Sequence, residues 1–209
     1  SPALFRSPLP TGARRLGLVG LGAGTLATYA RREDSVQFYE IDPEMMQLAA
    51  SRFTYLSNCP GRVEVTPGDA RLSLERQPPQ DFDLLALDAF SSDAIPVHLL
   101  TSGAFEVYGR HVKTNGIIAV HISNKWLDLE PVVANIAARF DYRLVIVDHV
   151  PGADQWWLRR SVWALLTRND EILNAPGLRD AGRPARGDAA RIPLWTDDFS
   201  SLVQILQKN

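Results

Sequence analysis

Residues 19–27 read VGLGAGTLA, and this glycine-rich stretch decides the fold. The apolar run that precedes it, RRLGLVG (14–20), is typical of a short buried strand, whereas the segment GTLATYARR (24–32) has helical spacing. A strand that turns through glycines into a helix is a common opening unit of ligand-binding α/β folds. A tight turn that binds nothing is the alternative when such a cluster is taken alone.

Gly20, Gly22 and Gly24 are the glycines of this turn. Glycines there permit a tight turn and let a ligand approach the backbone, and the N-terminus of the following helix favours polar or negative groups. Glu40 ends the next strand-like run, SVQFYEID (35–42), where an acidic side chain can accept hydrogen bonds from both ribose hydroxyls. Together these features predict a nucleoside site, whereas an exposed strand-end carboxylate is the alternative for Glu40.

Strand-like and helix-like segments keep alternating along the chain. We predict further strands at 62–69, 81–90 and 116–123, and further helices at 43–53, 70–77, 99–112 and 129–140. Short loops between them imply a parallel sheet with helices on both faces. The last strand-like runs, 142–150 and 161–168, have no helix-length segment between them, which predicts an antiparallel C-terminal hairpin. The expected fold is therefore a methyltransferase-like Rossmann α/β fold with a mostly parallel seven-stranded sheet, rather than a nicotinamide-binding domain.

Two C-terminal segments lie outside this alternation. The Gly-, Pro- and Arg-rich stretch 174–192 predicts a mobile loop. The segment WTDDFSSLVQIL (195–206) predicts a capped terminal helix, with Asp197 or Asp198 near its N-terminus.

The composition is that of an ordinary globular domain. The chain has 209 residues, 45% of them hydrophobic, and a formal net charge of −2, which does not favour nucleic acid or an anionic membrane surface. The single cysteine excludes an internal disulfide framework and agrees with a reducing, cytoplasmic location. No apolar run is long enough to span a membrane. We expect residues 1–14 to be the N-terminal stub of a longer protein and 15–209 to form the functional domain.

Two more carboxylates follow predicted strands. Asp69 comes after the third strand, where it can accept from the exocyclic amine of adenine or cap the helix that follows, and both roles can hold at once. Asp88 ends the fourth strand, and a carboxylate at the end of a core strand is costly unless something uses it. Ligands of open α/β sheets sit at the carboxyl ends of the strands, so these residues predict one site there.

The segments VGLGAGTLA, FYEIDPEMM, TPGDAR and LLALDAFSSDAIP resemble, in this order, the catalytic domain of spermidine synthases, the polyamine aminopropyltransferases. They look most like the bacterial spermidine synthase-like proteins whose transferase domain is often fused behind a membrane-transporter-like segment. The resemblance runs from about Arg15 to Arg168. It implies a membrane tether for the complete protein, although no residue in this chain indicates direct membrane contact.

The resemblance implies a role for each matching residue. Glu40 would hold the ribose, Asp69 the adenine, and Asp88 would assist deprotonation of the attacking amine. The resulting set of cosubstrate-binding candidates is Gly20, Gly22, Gly24, Glu40, Ile41, Asp69 and Ala70. The cosubstrate would be decarboxylated S-adenosylmethionine or S-adenosylmethionine itself, the partner a small-molecule amine, and no metal is expected. A homodimer is an open alternative.

Candidates for the amine side are fewer. Asp93 would line the flap between nucleoside and amine, and Trp156 would form an apolar wall for the substrate, or else cover the core together with its neighbour Trp157. The four histidines, His98, His111, His121 and His149, are scattered, and we expect a structural role for each.

The sequence also departs from the family pattern. Spermidine synthases carry an aspartate in the glycine loop that holds the aminopropyl ammonium, and here that position is Ala23. Their two flap aspartates are three apart and followed by proline, whereas Asp88 and Asp93 are five apart and followed by alanine. Three functions therefore stay open: aminopropyl transfer, methyl transfer from S-adenosylmethionine, and nucleoside binding without catalysis.

Overall fold

A computed structural model describes residues 11–89, 96–152, 154, 159–186 and 192–207. Its eight strands are β1 (Arg15–Val19), β2 (Ser35–Glu40), β3 (Arg62–Pro67), β4 (Phe82–Leu87), β5 (Val112–His121), β6 (Arg143–His149), β7 (Ser161–Thr167) and β8 (Gly182–Pro184). Its α-helices are α1 (Pro43–Arg52), α2 (Ala70–Arg76), α3 (Ser102–His111), α4 (Glu130–Arg139), α5 (Asp170–Asn174) and α6 (Pro176–Ala181). Short 3-10 turns lie at Thr25–Tyr29, Val97–Leu99 and Val203–Ile205.

All eight strands form one sheet in the order β3-β2-β1-β4-β5-β7-β6-β8. The pairs from β3 to β5 are parallel, and the pairs that involve β6, β7 and β8 are antiparallel. The strand order reverses between β1 and β4, the place where open α/β sheets bind ligands. The predicted α/β fold and its antiparallel C-terminal pair are therefore confirmed.

Apolar clusters cover both faces of the sheet, as the burial of β4 shows. All six residues of β4 are buried, as expected for a central parallel strand. Leu85 and Leu87 belong to the apolar cluster under α2, α3 and α4, whereas Leu84 and Ala86 belong to the cluster on the opposite face. Successive side chains of a strand point to opposite faces, so an almost continuous apolar run serves two cores.

The sheet has one strand more than the seven we expected. The additional strand β8 and the helix α6 lie in the segment 174–192 that the composition suggested was a loop, and that prediction is wrong for its described part. Leu178 of α6 is buried and β8 pairs with β6, so apolar burial and strand pairing order this Gly- and Pro-rich stretch.

Two predicted helices also differ. The segment after the glycine turn is a five-residue 3-10 turn, because Arg14 donates to the carbonyl of Tyr29 and the backbone N–H of Arg31 turns to the Asp34 carboxylate. The glycine turn therefore lacks the helix N-terminus that we expected. In the described segment 195–206 the helical part is limited to a 3-10 turn at Val203–Ile205. Asp197 binds Arg71 and Thr101 instead of capping a helix.

None of the helices in the described ranges combines the length and apolar character that crossing a membrane requires.

Candidate active site

A cavity of about 450 Å³ opens at the carboxyl ends of β1, β2 and β4. The backbone N–H of Asp88 donates to the carbonyl of Val19 at 2.8 Å, so the ends of β4 and β1 stay joined directly beneath the cavity. The volume lies within the range of small-molecule sites in proteins. The lining residues are Val19, Gly20, Gly22, Tyr39, Glu40, Ile41, Asp42, Met45, Gly68, Ala70, Asp88, Ala89, Pro96, Leu99 and His121.

Gly20 makes the floor of the cavity. Its φ is +91°, and a Cβ at this position would lie 2.6 Å from the carbonyl oxygen of Asp88. A side chain is therefore excluded by both conformation and space, and the close approach of β1 to the end of β4 depends on glycine. Gly24, by contrast, is buried against Leu56 and supports the turn from behind.

Glu40 connects the glycine turn to the end of β2. Its carboxylate accepts the backbone N–H of Leu21 at 2.7 Å and that of Asp42 at 2.9 Å, one on each oxygen. The residue is 8% exposed, so these two bonds stabilise a charge that is almost buried. A carboxylate oxygen has a second lone pair, which leaves acceptor capacity for the hydroxyls of a ligand.

Asp69 caps α2, as one of its two predicted roles requires. Its Oδ1 accepts the N–H of Leu72 at 2.9 Å, and its Oδ2 lies 2.8 Å from Nε2 of His98. Burial alone would raise the pKa of Asp69, but the N–H of Leu72 and the His98 ring outweigh burial and hold the pKa below its usual range. The carboxyl therefore stays ionised beside the cavity.

Asp88 lies on the cavity and contacts a histidine. Its Oδ1 is 2.7 Å from Nδ1 of His121, the last residue of β5. The Asp88 side chain is 33% exposed, so the carboxylate is open to a ligand on one side and held by the imidazole on the other. His121 in turn stacks on Trp163 of β7, with ring centroids 4.8 Å apart.

The structure brings most of the predicted residues together. The predicted residues on the cavity are Gly20, Gly22, Glu40, Ile41, Ala70 and Asp88. Within the described ranges, Gly24 and Asp69 are beside the cavity rather than in its lining. Asp93 and Trp156 lie outside the described residues.

His121 is the residue that sequence reasoning missed. The rule that picked out Glu40 and Asp88 was that polar residues at strand ends share one rim, and His121 ends the fifth strand. Applied once more, the same rule would have found it. The structural role that we expected for this histidine stays a prediction, but the structure adds that its ring lines the cavity. His98, for which we expected the same role, contacts Asp69.

Acidic and imidazole groups in the described ranges do not cluster as metal ligands. No group of three or more His, Cys, Asp or Glu side chains there is placed to hold a metal ion.

A second cavity, of about 940 Å³, lies beyond β5 and β7 and is basic. At its edge the Glu130 carboxylate binds Arg183 of β8 and Arg186. Burial would raise the pKa of Glu130, but the two guanidinium groups and the N–H of Arg186 lower it to about 2. None of the predicted site residues in the described ranges lines this cavity, so we assign the chemistry to the smaller one.

The sequence matches two curated proteins over about half of its length. A putative O-methyltransferase of Mycolicibacterium vanbaalenii is 32% identical over 115 residues, 53% of this chain and 48% of that protein. A polyamine aminopropyltransferase of Vibrio vulnificus is 34% identical over 103 residues, 47% of this chain and 33% of that protein. The matches thus span about half and a third of these relatives. No protein-family model matches the chain.

The structure matches a solved relative over most of the chain. A probable spermidine synthase from Corynebacterium glutamicum superposes with a TM-score of 0.65 at 20% identity, covering 91% of this chain and 74% of that one. At this identity the match shows the fold alone. The resemblance to spermidine synthases is confirmed by this fold and by the aminopropyltransferase match, and the O-methyltransferase match agrees with the wider fold class.

Proposed function

We propose that this chain is a spermidine synthase-like transferase, which moves an aminopropyl group from decarboxylated S-adenosylmethionine to an amine acceptor. The observation that carries the proposal is that Glu40 and Asp88 line one cavity at the strand-order reversal of the sheet. The first carboxylate suits a ribose and the second suits an amine, which are the two halves of this reaction.

The nucleoside half uses the cavity between β1 and β2. Glu40 would accept the ribose hydroxyls with the lone pairs that its two backbone partners leave free. Ile41, 67% exposed on the same cavity, supplies an apolar surface for the adenine. Asp69 would receive the adenine amine on the lone pairs not used by Leu72 and His98. The glycine turn lets the cosubstrate lie against the backbone at Gly20.

The amine half uses Asp88. The carboxylate orients the protonated amine and accepts its proton, which leaves a neutral nucleophile. The amine nitrogen then forms a bond to the aminopropyl carbon while the sulfur–carbon bond breaks, and the electron pair stays on sulfur as a neutral thioether. Positioning of the reacting atoms and electrostatics supply the rate enhancement.

The remaining expectations belong to the same proposal. The acceptor is a small amine rather than nucleic acid, in agreement with the net charge of −2 and the carboxylates at the site. We place the reaction in the cytoplasm, and a homodimer is the assembly that we would test first. No metal enters the proposed chemistry.

Methyl transfer from S-adenosylmethionine is the second candidate. It is favoured by Ala23 in the glycine loop, because the absence of an acid there leaves room for a methionine carboxylate. The match to a putative O-methyltransferase points the same way. The same cavity and the same carboxylates would serve either reaction.

Calorimetric titration with both cosubstrates separates the candidates. We expect tighter binding of decarboxylated S-adenosylmethionine, and each tenfold ratio of affinities corresponds to about 1.4 kcal/mol. A preference for S-adenosylmethionine would move the assignment to methyl transfer. Ala23→Asp should improve binding of the decarboxylated form. An unchanged affinity would contradict the assignment of Ala23 to the position at which spermidine synthases carry an aspartate.

Asp88→Asn tests catalysis. Turnover should fall by about 10²–10⁴-fold while cosubstrate affinity persists, because the amide cannot accept the proton. Asp180→Asn, on an exposed helix position, is the matched control. If the unmodified protein binds the cosubstrate but turns over no amine, the result would favour nucleoside binding without catalysis.

A further inference from the structure

Strand register makes Asp88 and His121 neighbours. β4 and β5 pair in parallel with Leu87 opposite Val120, so the next residue on each strand reaches the rim at the same level. The two side chains meet there at 2.7 Å. The contact therefore forms directly at the ends of two central strands, between the first residue after β4 and the last residue of β5.

The contact determines which nitrogen of His121 carries a proton. An ionised carboxylate only accepts hydrogen bonds, so Nδ1 must donate to Oδ1 of Asp88. The other ring nitrogen, Nε2, is buried and has no hydrogen-bond partner among the described residues. A proton on Nε2 would be a buried donor without an acceptor, whereas an unprotonated Nε2 avoids that cost. The neutral ring is therefore the Nδ1–H tautomer.

Trp163 fixes the plane of the ring. The indole is 3% exposed, and the two rings are 17° from parallel. Trp163 lies opposite His121 in the β5–β7 register, so this support also comes from the sheet. With its plane held by stacking and its Nδ1 held by Asp88, the imidazole has little freedom to turn away from the carboxylate.

We propose that His121 is the positioning residue for Asp88, and that the pair acts as one proton-accepting unit in the proposed transfer, on which this inference rests. His121 donates its Nδ1–H to one oxygen of Asp88 and leaves the other oxygen for the amine. The ammonium proton of the acceptor passes to that free oxygen. The nitrogen lone pair that it releases forms the new carbon–nitrogen bond, and the electrons of the broken carbon–sulfur bond stay on sulfur.

Imidazole NMR tests the pair without any substrate. Long-range ¹⁵N–¹H spectra of the four histidines, at alkaline pH, should show His121 as the Nδ1–H tautomer. Asp88→Ala should shift His121 toward the Nε2–H tautomer that neutral histidine favours in water. An Nε2–H tautomer in the unmodified protein, or an unchanged tautomer in Asp88→Ala, would overturn the proposal.

Kinetics test the positioning role. His121→Ala should lower kcat by about ten- to a hundredfold with little change in KM, because a carboxylate displaced by about 1 Å costs a comparable factor. His121→Gln keeps an N–H donor and should lose distinctly less. An equal loss in the two variants, or a loss confined to KM, would overturn the proposal.

His149→Gln provides the matched control, since this histidine ends β6 outside the cavity lining. Circular dichroism of each variant establishes that it is folded before kinetics are compared. If the unmodified protein turns over no amine while the predicted tautomer is present and depends on Asp88, the transferase proposal fails and the contact between the two residues stands. The tautomer and the turnover thus report on the two proposals separately.

Discussion

The carboxylate of Glu40 accepts the backbone N–H of Leu21 at 2.7 Å and thereby holds the glycine turn against the end of β2. A residue chosen from the sequence as a ligand contact is thus also a structural one. The shape of the cavity and its affinity for a ribose would depend on the same side chain.

Glu40→Gln should affect both the structural role and the proposed ribose-binding role of this side chain. The amide keeps one acceptor oxygen and loses the charge, so one of the N–H groups of Leu21 and Asp42 is left without its acceptor. We expect the free energy of unfolding to fall by about 1–3 kcal/mol. Cosubstrate affinity should fall more than tenfold. Urea unfolding measures the stability and calorimetry measures the affinity. The control is Glu44→Gln, at an exposed acid in the first turn of α1, which should change neither the stability nor the affinity.

Gly20→Ala and Gly22→Ala form a matched pair. Both glycines have positive φ, but a Cβ at Gly20 would lie 2.6 Å from a backbone oxygen, whereas one at Gly22 would meet open space. We expect Gly20→Ala to cost at least about 2 kcal/mol of folding free energy and Gly22→Ala about 1 kcal/mol. Equal thermal stability of the two variants would contradict the close approach of β1 and β4.

The buried pair of Arg14 and Asp34 should control stability at the opposite end of β1. Both side chains are fully buried, and Asp34 also accepts the backbone N–H groups of Arg14 and Arg31. We expect Asp34→Asn to lower the free energy of unfolding by about 3–5 kcal/mol, because it leaves a buried guanidinium without its counter-charge. Glu33→Gln, at the exposed neighbouring position, is the control.

The same pair makes stability depend on pH. Burial would raise the pKa of Asp34, but the hydrogen bonds from Arg14 and the backbone outweigh burial and lower the pKa. A lowered pKa in the folded state means that the stabilisation is complete above the ordinary carboxyl pKa of about 4 and is lost as the pH falls below it. The stability difference between the unmodified protein and Asp34→Asn should therefore shrink in urea unfolding at about pH 3. A difference that is constant with pH would contradict this account.

Asp197 should anchor the C-terminal segment rather than stabilise the whole domain. Its carboxylate accepts from Arg71 and from the Thr101 hydroxyl, and these bonds lower its pKa to about 2. Because the side chain is 49% exposed, we expect Asp197→Asn to cost at most about 1 kcal/mol of folding free energy. Limited proteolysis after residue 195 should become faster, and it should also become faster in the unmodified protein as the pH falls from about 4 to 2.

Asp198→Asn is the control for that prediction, since the neighbouring Asp198 is exposed and forms no ion pair within the described part of the chain. If both variants are cleaved at the same rate as the unmodified protein, the bond to Arg71 does not hold the segment.

The alternation of apolar runs with helix-like segments predicted the parallel half of the sheet and its antiparallel end. It did so because a strand that is buried on both faces is an almost continuous apolar run in the sequence. The same logic predicted Glu40, the last residue of β2, and Asp88, the first residue after β4. The contact between Asp88 and His121 depends on which strands are neighbours and on their register, and a single sequence does not state either. The sequence therefore shows that a histidine ends the fifth strand, but it does not show that this histidine contacts Asp88.

Local composition failed where long-range contacts decide the structure. The helix expected after Gly24 ends early because Arg14, fifteen residues before Tyr29, binds the Tyr29 carbonyl, and the nearby Asp34 carboxylate accepts the backbone N–H of Arg31. The segment 174–192 has the composition of a loop, yet burial of Leu178 and pairing of β8 with β6 give it regular structure. The cap expected at Asp197 is replaced by an ion pair with Arg71, a residue far away in sequence.

The two edge strands of the sheet carry features that discourage strand-to-strand pairing between copies of the chain. An exposed strand edge offers unpaired N–H and C=O groups to which another chain can add. β8 is three residues long and ends in Pro184, and β3 ends in Pro67 and carries the exposed ion pair of Arg62 and Glu64. Proline has no backbone N–H to donate to an added strand, and charged side chains would lose their hydration if another chain packed against the edge. The short strand β8 therefore also protects the eight-stranded sheet against edge-to-edge aggregation.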